Sequence, residues 1–188
     1  MLKSAILGAL SALALAVSAE AATTFGSKLN HEPTPAETCN SRRASNMCSW
    51  VMTIAQANVG KEVAPINGTI AKLKLRSCSP GSFVLQLVRA ETATDQARAI
   101  RTGPTINYVG SRRNCNGGSF IETFNVNVPV LAGERMAVVA TKVGFIYNAS
   151  GDGTLVFDPP LADGGVFRTT DGEGLGSGIL LLQAVYND

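Results

Sequence analysis

The side chains that most often carry hydrolytic chemistry are few in this 188-residue chain. His31 is the single histidine, and it lies between Asn30 and Glu32 in a polar segment that contains two prolines. A Ser-His-Asp enzyme would have to use His31 as its general base, and no G-x-S-x-G motif supplies a nucleophilic serine. H-E-x-x-H, Walker and dinucleotide-binding motifs are also absent from the sequence. We therefore expect His31 to be an exposed residue without a catalytic role.

Two glutamates could form the carboxylate pair of a glycoside hydrolase. Glu122 falls on a predicted strand and Glu134 at a predicted turn. Neither lies among aromatic residues of the kind that stack on sugar rings. We interpret both as structural carboxylates and keep a glycoside hydrolase-like enzyme as the third of three functional hypotheses.

Glycine-rich loops in the C-terminal third carry five carboxylates, which are Asp152, Asp158, Asp163, Asp171 and Glu173. Calcium binds six to eight oxygen atoms, and glycine lets the backbone bend so that loop carbonyls join the carboxylates. The spacing matches no EF-hand, and Asp-Gly is also a common turn dipeptide. These loops yield the hypothesis of a structural calcium ion, and we expect no other cofactor.

Basic residues predict a surface that binds anions. Lys72, Lys74 and Arg76 alternate with apolar residues and should share one face of a strand, while Arg112 and Arg113 form a pair on a later loop. Such a face could hold an anionic glycan or a cell-wall polymer. The other interpretation is a solvated face whose lysines limit aggregation.

Charge and aromatic residues narrow the class of ligand. Residues 22–113 carry 12 basic and 5 acidic side chains, and residues 114–188 carry 3 and 8, so the halves have charges of +7 and −5. The net charge of +2 and the scarcity of aromatic residues argue against nucleic acid. Tyr108 and Tyr147 lie near predicted turns and are the aromatic residues expected at a binding surface, whereas Trp50 is expected in the core.

Residues 1–21 are predicted to be a signal peptide. Lys3 supplies the positive charge, residues 5–17 form a short apolar region, and residues 19–21 read as a cleavage site after Ala19 or Ala21. The apolar region is shorter than the ~20 residues that a transmembrane helix needs. We therefore expect a secreted or cell-envelope protein without a membrane span, with one domain over residues 22–188.

The cysteines predict two disulfide bonds. Cys39, Cys48, Cys78 and Cys115 are an even set in an exported chain, where thiols are oxidised. Of the three possible pairings, we favour Cys39–Cys48 and Cys78–Cys115, because each closes one coherent segment. A zinc site is the alternative, but the chain has no C-x-x-C motif.

Short apolar runs separated by turn residues predict an all-β fold. Alternation is clearest over Thr69–Arg76, residues 22–38 read as an entry arm, and Glu91–Arg101 reads as a helical turn or a loop. Seven further segments read as strands: Cys48–Gln56, Phe83–Arg89, Phe120–Val128, Arg135–Val143, Thr154–Phe157, Val166–Thr169 and Ile179–Tyr186. About eight short strands predict an antiparallel β-sandwich of jelly-roll type.

Four segments together resemble a set of small secreted bacterial β-sandwich proteins with jelly-roll-like folds and no settled activity. They are Ala22–Ser27, Val63–Ile70, Phe83–Arg89 and Val128–Met136. The resemblance implies the fold and export, and it assigns no functional residue. We expect a non-catalytic module that binds carbohydrate or an anionic surface polymer. A self-assembling structural protein is the alternative, because the oppositely charged halves would suit head-to-tail contacts between copies.

Overall fold

The computed structural model describes residues 23–34, 37–39, 46–53, 60–148, 153–170, 175–176 and 178–186, and the predicted signal peptide lies outside these ranges. Within them the chain is all-β, with one short 3₁₀ helix over Arg112–Cys115. No helix in the described ranges is long and apolar enough to cross a membrane. The strands are β1 Thr24–Ser27, β2 Glu37–Thr38, β3 Cys48–Met52, β4 Gly60–Lys61, β5 Gly68–Leu75, β6 Gly81–Glu91, β7 Gln96–Tyr108, β8 Glu122–Val130, β9 Arg135–Ala140, β10 Lys142–Val143, β11 Ile146–Asn148, β12 Thr154–Phe157, β13 Arg168–Thr169, β14 Leu175–Gly176, β15 Gly178–Leu180 and β16 Leu182–Tyr186.

Two larger antiparallel sheets contain most of these strands. A five-stranded sheet has the order β4-β1-β16-β5-β8, and a seven-stranded sheet has the order β13-β7-β6-β9-β3-β12-β14. Two short pairs, β10-β2 and β11-β15, complete the pairing. The prediction of an antiparallel all-β chain is confirmed. The expected number of about eight strands is not, because several strands of two or three residues carry no periodic signal.

One hydrophobic core joins the inner faces of the two sheets. The predicted alternation of β5 is confirmed for Leu73 and Leu75, which are buried in the same cluster as Phe83 and Trp50 of the seven-stranded sheet. It fails at the start of the strand, where a register shift between Ile70 and Lys72 buries Ile70 and leaves Ala71 half-buried. Removal of these apolar side chains from water is the main driving force for burying them in one cluster.

The outer face of the seven-stranded sheet is also covered. Val88 and Ala97 belong to a second buried cluster that includes Leu161, which lies in the segment after β12. A closed set of hydrogen bonds holds this segment. The Ser49 hydroxyl donates to Gln86 Oε1 (2.9 Å), Gln86 Nε2 donates to the Leu161 carbonyl (2.9 Å), and the Leu161 amide donates to Ser49 Oγ (2.9 Å). The five-stranded sheet therefore presents the more accessible outer face.

The expectation of a helical turn or loop over Glu91–Arg101 is wrong over most of its length. A turn ends at Asp95, and β7 then pairs along the whole of β6. Ala97 and Ala99 alternate with Arg98 and face the second cluster, so cross-strand pairing overrides the helical propensity of alanine.

The entry arm is likewise partly a strand. Phe25 of β1 is buried in the core, and β1 pairs with both β16 and β4. Gly26 has φ +97°, and a Cβ there would lie 2.4 Å from the Leu182 carbonyl oxygen, so this position requires glycine.

Both favoured disulfides are confirmed. Cys39 and Cys48 have a Cα–Cα distance of 5.7 Å, and Cys78 and Cys115 have one of 5.5 Å. Two structural disulfides indicate an oxidising compartment.

Candidate functional site

The outward side of the five-stranded sheet collects polar and basic residues from neighbouring strands. One row across the strands, read from the pairing register, runs Lys61, Gly26, Gln183, Lys74 and Thr123. Strands lie about 4.8 Å apart, so Lys61 and Lys74 are separated by about 14 Å. We call this surface the lysine face.

A second row lies beside the first and extends the same face. It contains Thr24, Val185, Lys72 and Asn125. Lys72 and Asn125 are exposed and directly opposite each other on β5 and β8, a spacing at which side chains from both strands can contact one ligand. Asn127 continues the exposed amides along β8.

The lysine face carries positive charge without a compensating carboxylate among its described residues. Among the described residues, the ion pairs Arg101–Glu134 (3.3 Å) and Arg135–Glu62 (3.2 Å) do not include Lys61, Lys72 or Lys74. Unpaired cations on a sheet surface raise the local concentration of anions. The surface therefore combines three ammonium groups with the exposed hydroxyl of Thr123 and the exposed amide of Asn125, whereas the half-buried Gln183 amide donates to the Ser27 carbonyl (3.0 Å).

Arg76 does not belong to the lysine face, and the expectation that it extends the exposed basic strand is wrong. β5 ends at Leu75, and Arg76 turns inward to 5% exposure. Its guanidinium donates to the carbonyls of Leu29 (3.2 Å) and Gly118. Arg76 thus binds two loops together instead of facing solvent.

Tyr108 is not a surface aromatic either. It is 4% exposed, packs against Phe83 and Phe145, and its hydroxyl accepts a hydrogen bond from the Gly144 amide (3.4 Å). Burial raises the pKa of Tyr108, the Gly144 hydrogen bond lowers it, and the charge of Glu122 raises it further. Its role is in the core.

Tyr147 and His31 form a stacked pair away from the lysine face. Their ring centroids are 4.2 Å apart with an interplanar angle of 17°. Tyr147 is half-buried against the main core, and His31 is half-buried rather than exposed as expected. The stack covers one face of the Tyr147 ring, which reduces the aromatic surface that this residue could offer to a ligand.

Arg112 and Arg113 are exposed, as a binding role requires, but they lie beyond the end of the lysine face. They form the first turn of the 3₁₀ helix between β7 and β8. Asn114, in the same turn, donates to the Ser77 carbonyl (2.9 Å), which places the pair next to the point where β5 ends.

Neither glutamate of the hydrolase hypothesis is free. Glu122 accepts hydrogen bonds from the Val109 and Gly110 amides (3.0 and 2.7 Å). Glu134 is fully buried, accepts from the Leu131 amide (2.9 Å) and pairs with Arg101. The two carboxylates belong to opposite ends of β8, which is about 26 Å long. Glycosidases hold their carboxylates about 5 to 10 Å apart, so this pair is not assembled.

The acidic loops are only partly within the described ranges. Asp152, Asp171 and Glu173 lie outside them. Asp163 is engaged by Thr102, whose amide and hydroxyl donate at 2.8 and 2.7 Å, and Asp158 is half-buried. Within the described part of the chain, no group of three His, Cys, Asp or Glu side chains could hold a metal ion. The calcium site remains a hypothesis.

Lys61, Gln183 and Asn125 belong to the lysine face but were not singled out from the sequence. Lys61 belongs to a two-residue strand, which is too short to show periodicity, and Gln183 lies in a largely apolar strand near residue 186. Asn125 falls within the predicted strand Phe120–Val128, where polar residues alternate with apolar ones, and this alternation is the signal that could have identified it. No protein-family model, curated protein or solved structure matches the chain, so the surface itself is the basis for a function.

Proposed function

We propose that the protein is a secreted, non-catalytic module that binds an anionic polymer, such as an acidic glycan, on the lysine face. The observation that carries this proposal is the set of three lysines on one sheet, Lys61, Lys72 and Lys74, with no carboxylate among the described residues of that face. Ammonium groups form charge-assisted hydrogen bonds to carboxylate and sulfate oxygens.

The shape of the surface favours a polymer over a small ligand. One row of residues extends across five strands and a second across four, and the separation of Lys61 and Lys74, about 14 Å, exceeds the size of one sugar unit. Exposed Thr123 and Asn125 supply donors and acceptors for sugar hydroxyl groups. No aromatic platform accompanies them in the described rows, so charge rather than ring stacking must provide the affinity.

Affinity for heparin, used as a soluble anionic glycan, tests the proposal. We expect Lys72→Ala/Lys74→Ala to weaken binding about tenfold or more, because one charge-assisted hydrogen bond contributes about 1.5 kcal/mol. The difference should shrink above about 0.5 M salt, where the Debye length falls below about 5 Å.

A matched control removes two exposed charges elsewhere. Arg89→Ala/Lys142→Ala changes the net charge equally, on β6 and β10. Equal weakening by both double variants would mean that only net charge matters and would refute a site on the lysine face. Absence of heparin binding by the wild-type protein at low salt would also refute it.

Self-association is the second candidate, favoured by the position of β8. This nine-residue strand lies at the edge of the five-stranded sheet, with β5 as its one neighbour in that sheet's order. An open edge can pair with a strand of another copy. A concentration-dependent shift in size-exclusion chromatography that Asn125→Pro abolishes would support this function, whereas an unchanged monomer across concentrations would refute it.

We further propose that the two sheets form a sandwich of jelly-roll type and that residues 1–21 are removed on export. The shared core supports the sandwich, and the two disulfides support an exported chain. Mass spectrometry of the protein recovered from an exporting host tests the second point, because cleavage predicts an N terminus at Glu20 or Ala22.

A further inference from the structure

The loop that joins β7 to β8 exposes apolar side chains to an unusual degree. We call residues 109–121 the tip loop. Val109 is 73% exposed, Phe120 53% and Ile121 41%, which makes them three of the six large hydrophobic residues that are exposed in the described ranges. Exposed apolar residues grouped in one place mark interaction sites more often than scattered ones do.

The tip loop is held in place by a disulfide and by hydrogen bonds, so its exposed residues do not belong to a loosely attached loop. The Cys78–Cys115 disulfide links the loop to the segment after β5. Buried Asn114 donates to the carbonyls of Ser77 (2.9 Å) and Phe120 (2.7 Å) and accepts from the Phe120 amide (2.8 Å). The loop thus presents Phe120 in a fixed position, which lowers the entropy lost on binding.

Glu122 fixes the other side of the loop. Its carboxylate accepts hydrogen bonds from the Val109 and Gly110 amides, so Val109 is held next to the start of β8, where Ile121 lies. These two bonds also occupy the carboxylate nearest to the apolar residues. The tip therefore gathers Val109, Phe120 and Ile121, and the exposed carboxylate of Glu32 lies beside Gly117 of the same loop.

Two cations accompany the apolar side chains. Arg112 and Arg113 are exposed in the same loop, and neither forms an ion pair with another described residue. Arginines around projecting apolar residues are the combination that binds an anionic membrane surface, where apolar groups enter the interface and cations meet the headgroups.

We infer that the tip loop docks the protein on the surface of an anionic phospholipid bilayer. A bilayer fits better than a small ligand, because the high exposure of Val109 and Phe120 means that they project outward rather than line a pocket. A bilayer also fits better than a groove on a protein partner, because Arg112 and Arg113 can pair with anionic headgroups anywhere on a lipid surface, without a partner of matching shape. This inference does not depend on the lysine face.

Co-sedimentation with vesicles tests the inference, using the protein as it is recovered from an exporting host so that all variants share one N terminus. We expect binding to vesicles of phosphatidylglycerol and phosphatidylcholine (3:1) and weaker binding to phosphatidylcholine alone. Phe120→Ser/Ile121→Ser should weaken binding about 30-fold, given the apolar area removed. Arg112→Gln/Arg113→Gln should weaken it about 25-fold at low salt.

The opposite end of the sheet supplies the matched control. Ile66 and Leu131 are 51% and 43% exposed, and Ile66→Ser/Leu131→Ser should leave vesicle binding unchanged. Melting temperatures equal to wild type would show that each variant is folded, as expected for exposed positions.

Three results would overturn the inference. The first is equal binding to anionic vesicles and to phosphatidylcholine vesicles. The second is an equal loss of vesicle binding in the tip variants and the control variant. The third is a loss of vesicle binding in Lys72→Ala/Lys74→Ala but not in the tip variants. The third result would assign the lipid anions to the lysine face and leave the proposed function intact, whereas failure of heparin binding alone would leave the tip inference intact.

Discussion

The two disulfides allow a quantitative comparison within one protein. Cys39 and Cys48 are separated by 9 residues in the sequence, and Cys78 and Cys115 by 37. In the chain-entropy model a crosslink stabilises the native state by restricting the unfolded chain, by about 2.6 kcal/mol for the shorter loop and about 3.8 kcal/mol for the longer one. Cys78→Ala/Cys115→Ala should therefore cost about 1.2 kcal/mol more than Cys39→Ala/Cys48→Ala.

Urea denaturation followed by the fluorescence of Trp50 measures both values, since this residue is the single tryptophan and is buried. With an m-value of about 2 kcal/mol/M, the two variants should differ in their urea midpoints by about 0.6 M. Removal of sulfur atoms also costs packing, and this cost opposes the ranking because Cys39 and Cys48 lie in the main core.

Measurement under reducing conditions separates the two effects. With both disulfides reduced, each variant differs from the wild-type protein in packing alone, so the difference between oxidised and reduced experiments isolates loop closure. If this difference is as large for the 9-residue loop as for the 37-residue loop, the entropic reasoning is refuted and contacts in the native state dominate.

Three further outcomes follow from buried polar groups. Burial raises the pKa of Tyr108 above its ordinary value of about 10, so the unfolded chain loses the phenol proton at a lower pH than the folded protein does. The free energy of unfolding should therefore fall as the pH rises above about 10. Tyr108→Phe should reduce this loss in urea titrations, and an unchanged loss would contradict the assignment. Arg76→Met leaves the carbonyls of Leu29 and Gly118 without their donor and should lower the free energy of unfolding, measured by urea denaturation, by about 1 to 3 kcal/mol. A gain in stability would mean that the desolvation of the guanidinium outweighs its hydrogen bonds. Ser49→Ala should speed hydrogen exchange at the Leu161 amide at least tenfold, and unchanged protection would show that the segment after β12 is held by packing alone.

The long strands were the most predictable part of the fold. Alternation over β5 and β6 places Leu73, Leu85 and Leu87 in the core, and period-2 burial is a property that the sequence displays directly. β7 was missed because Ala97 and Ala99 bury little area and have high helical propensity, so its pairing with β6 decides its conformation.

The candidate site was less predictable, because its limits depend on where strands end. Arg76 continues the spacing of Lys72 and Lys74, but the strand stops one residue earlier and the alternation stops with it. Lys61 joins the face only through the pairing of a two-residue strand with β1, a long-range contact without a local signal. The tip loop depends on hydrogen bonds from Asn114 and Glu122 that no periodicity reveals.

The pairing of β1 with β16 has a consequence for the order of folding. β16 lies between β1 and β5 in the five-stranded sheet, so residues 182–186 form its interior although they come at the end of the chain. β1 and β5 cannot join one sheet until β16 pairs with both, and such non-local pairing makes folding slow. The five-stranded sheet is therefore expected to form late in folding, after segments that pair locally, such as β6 with β7.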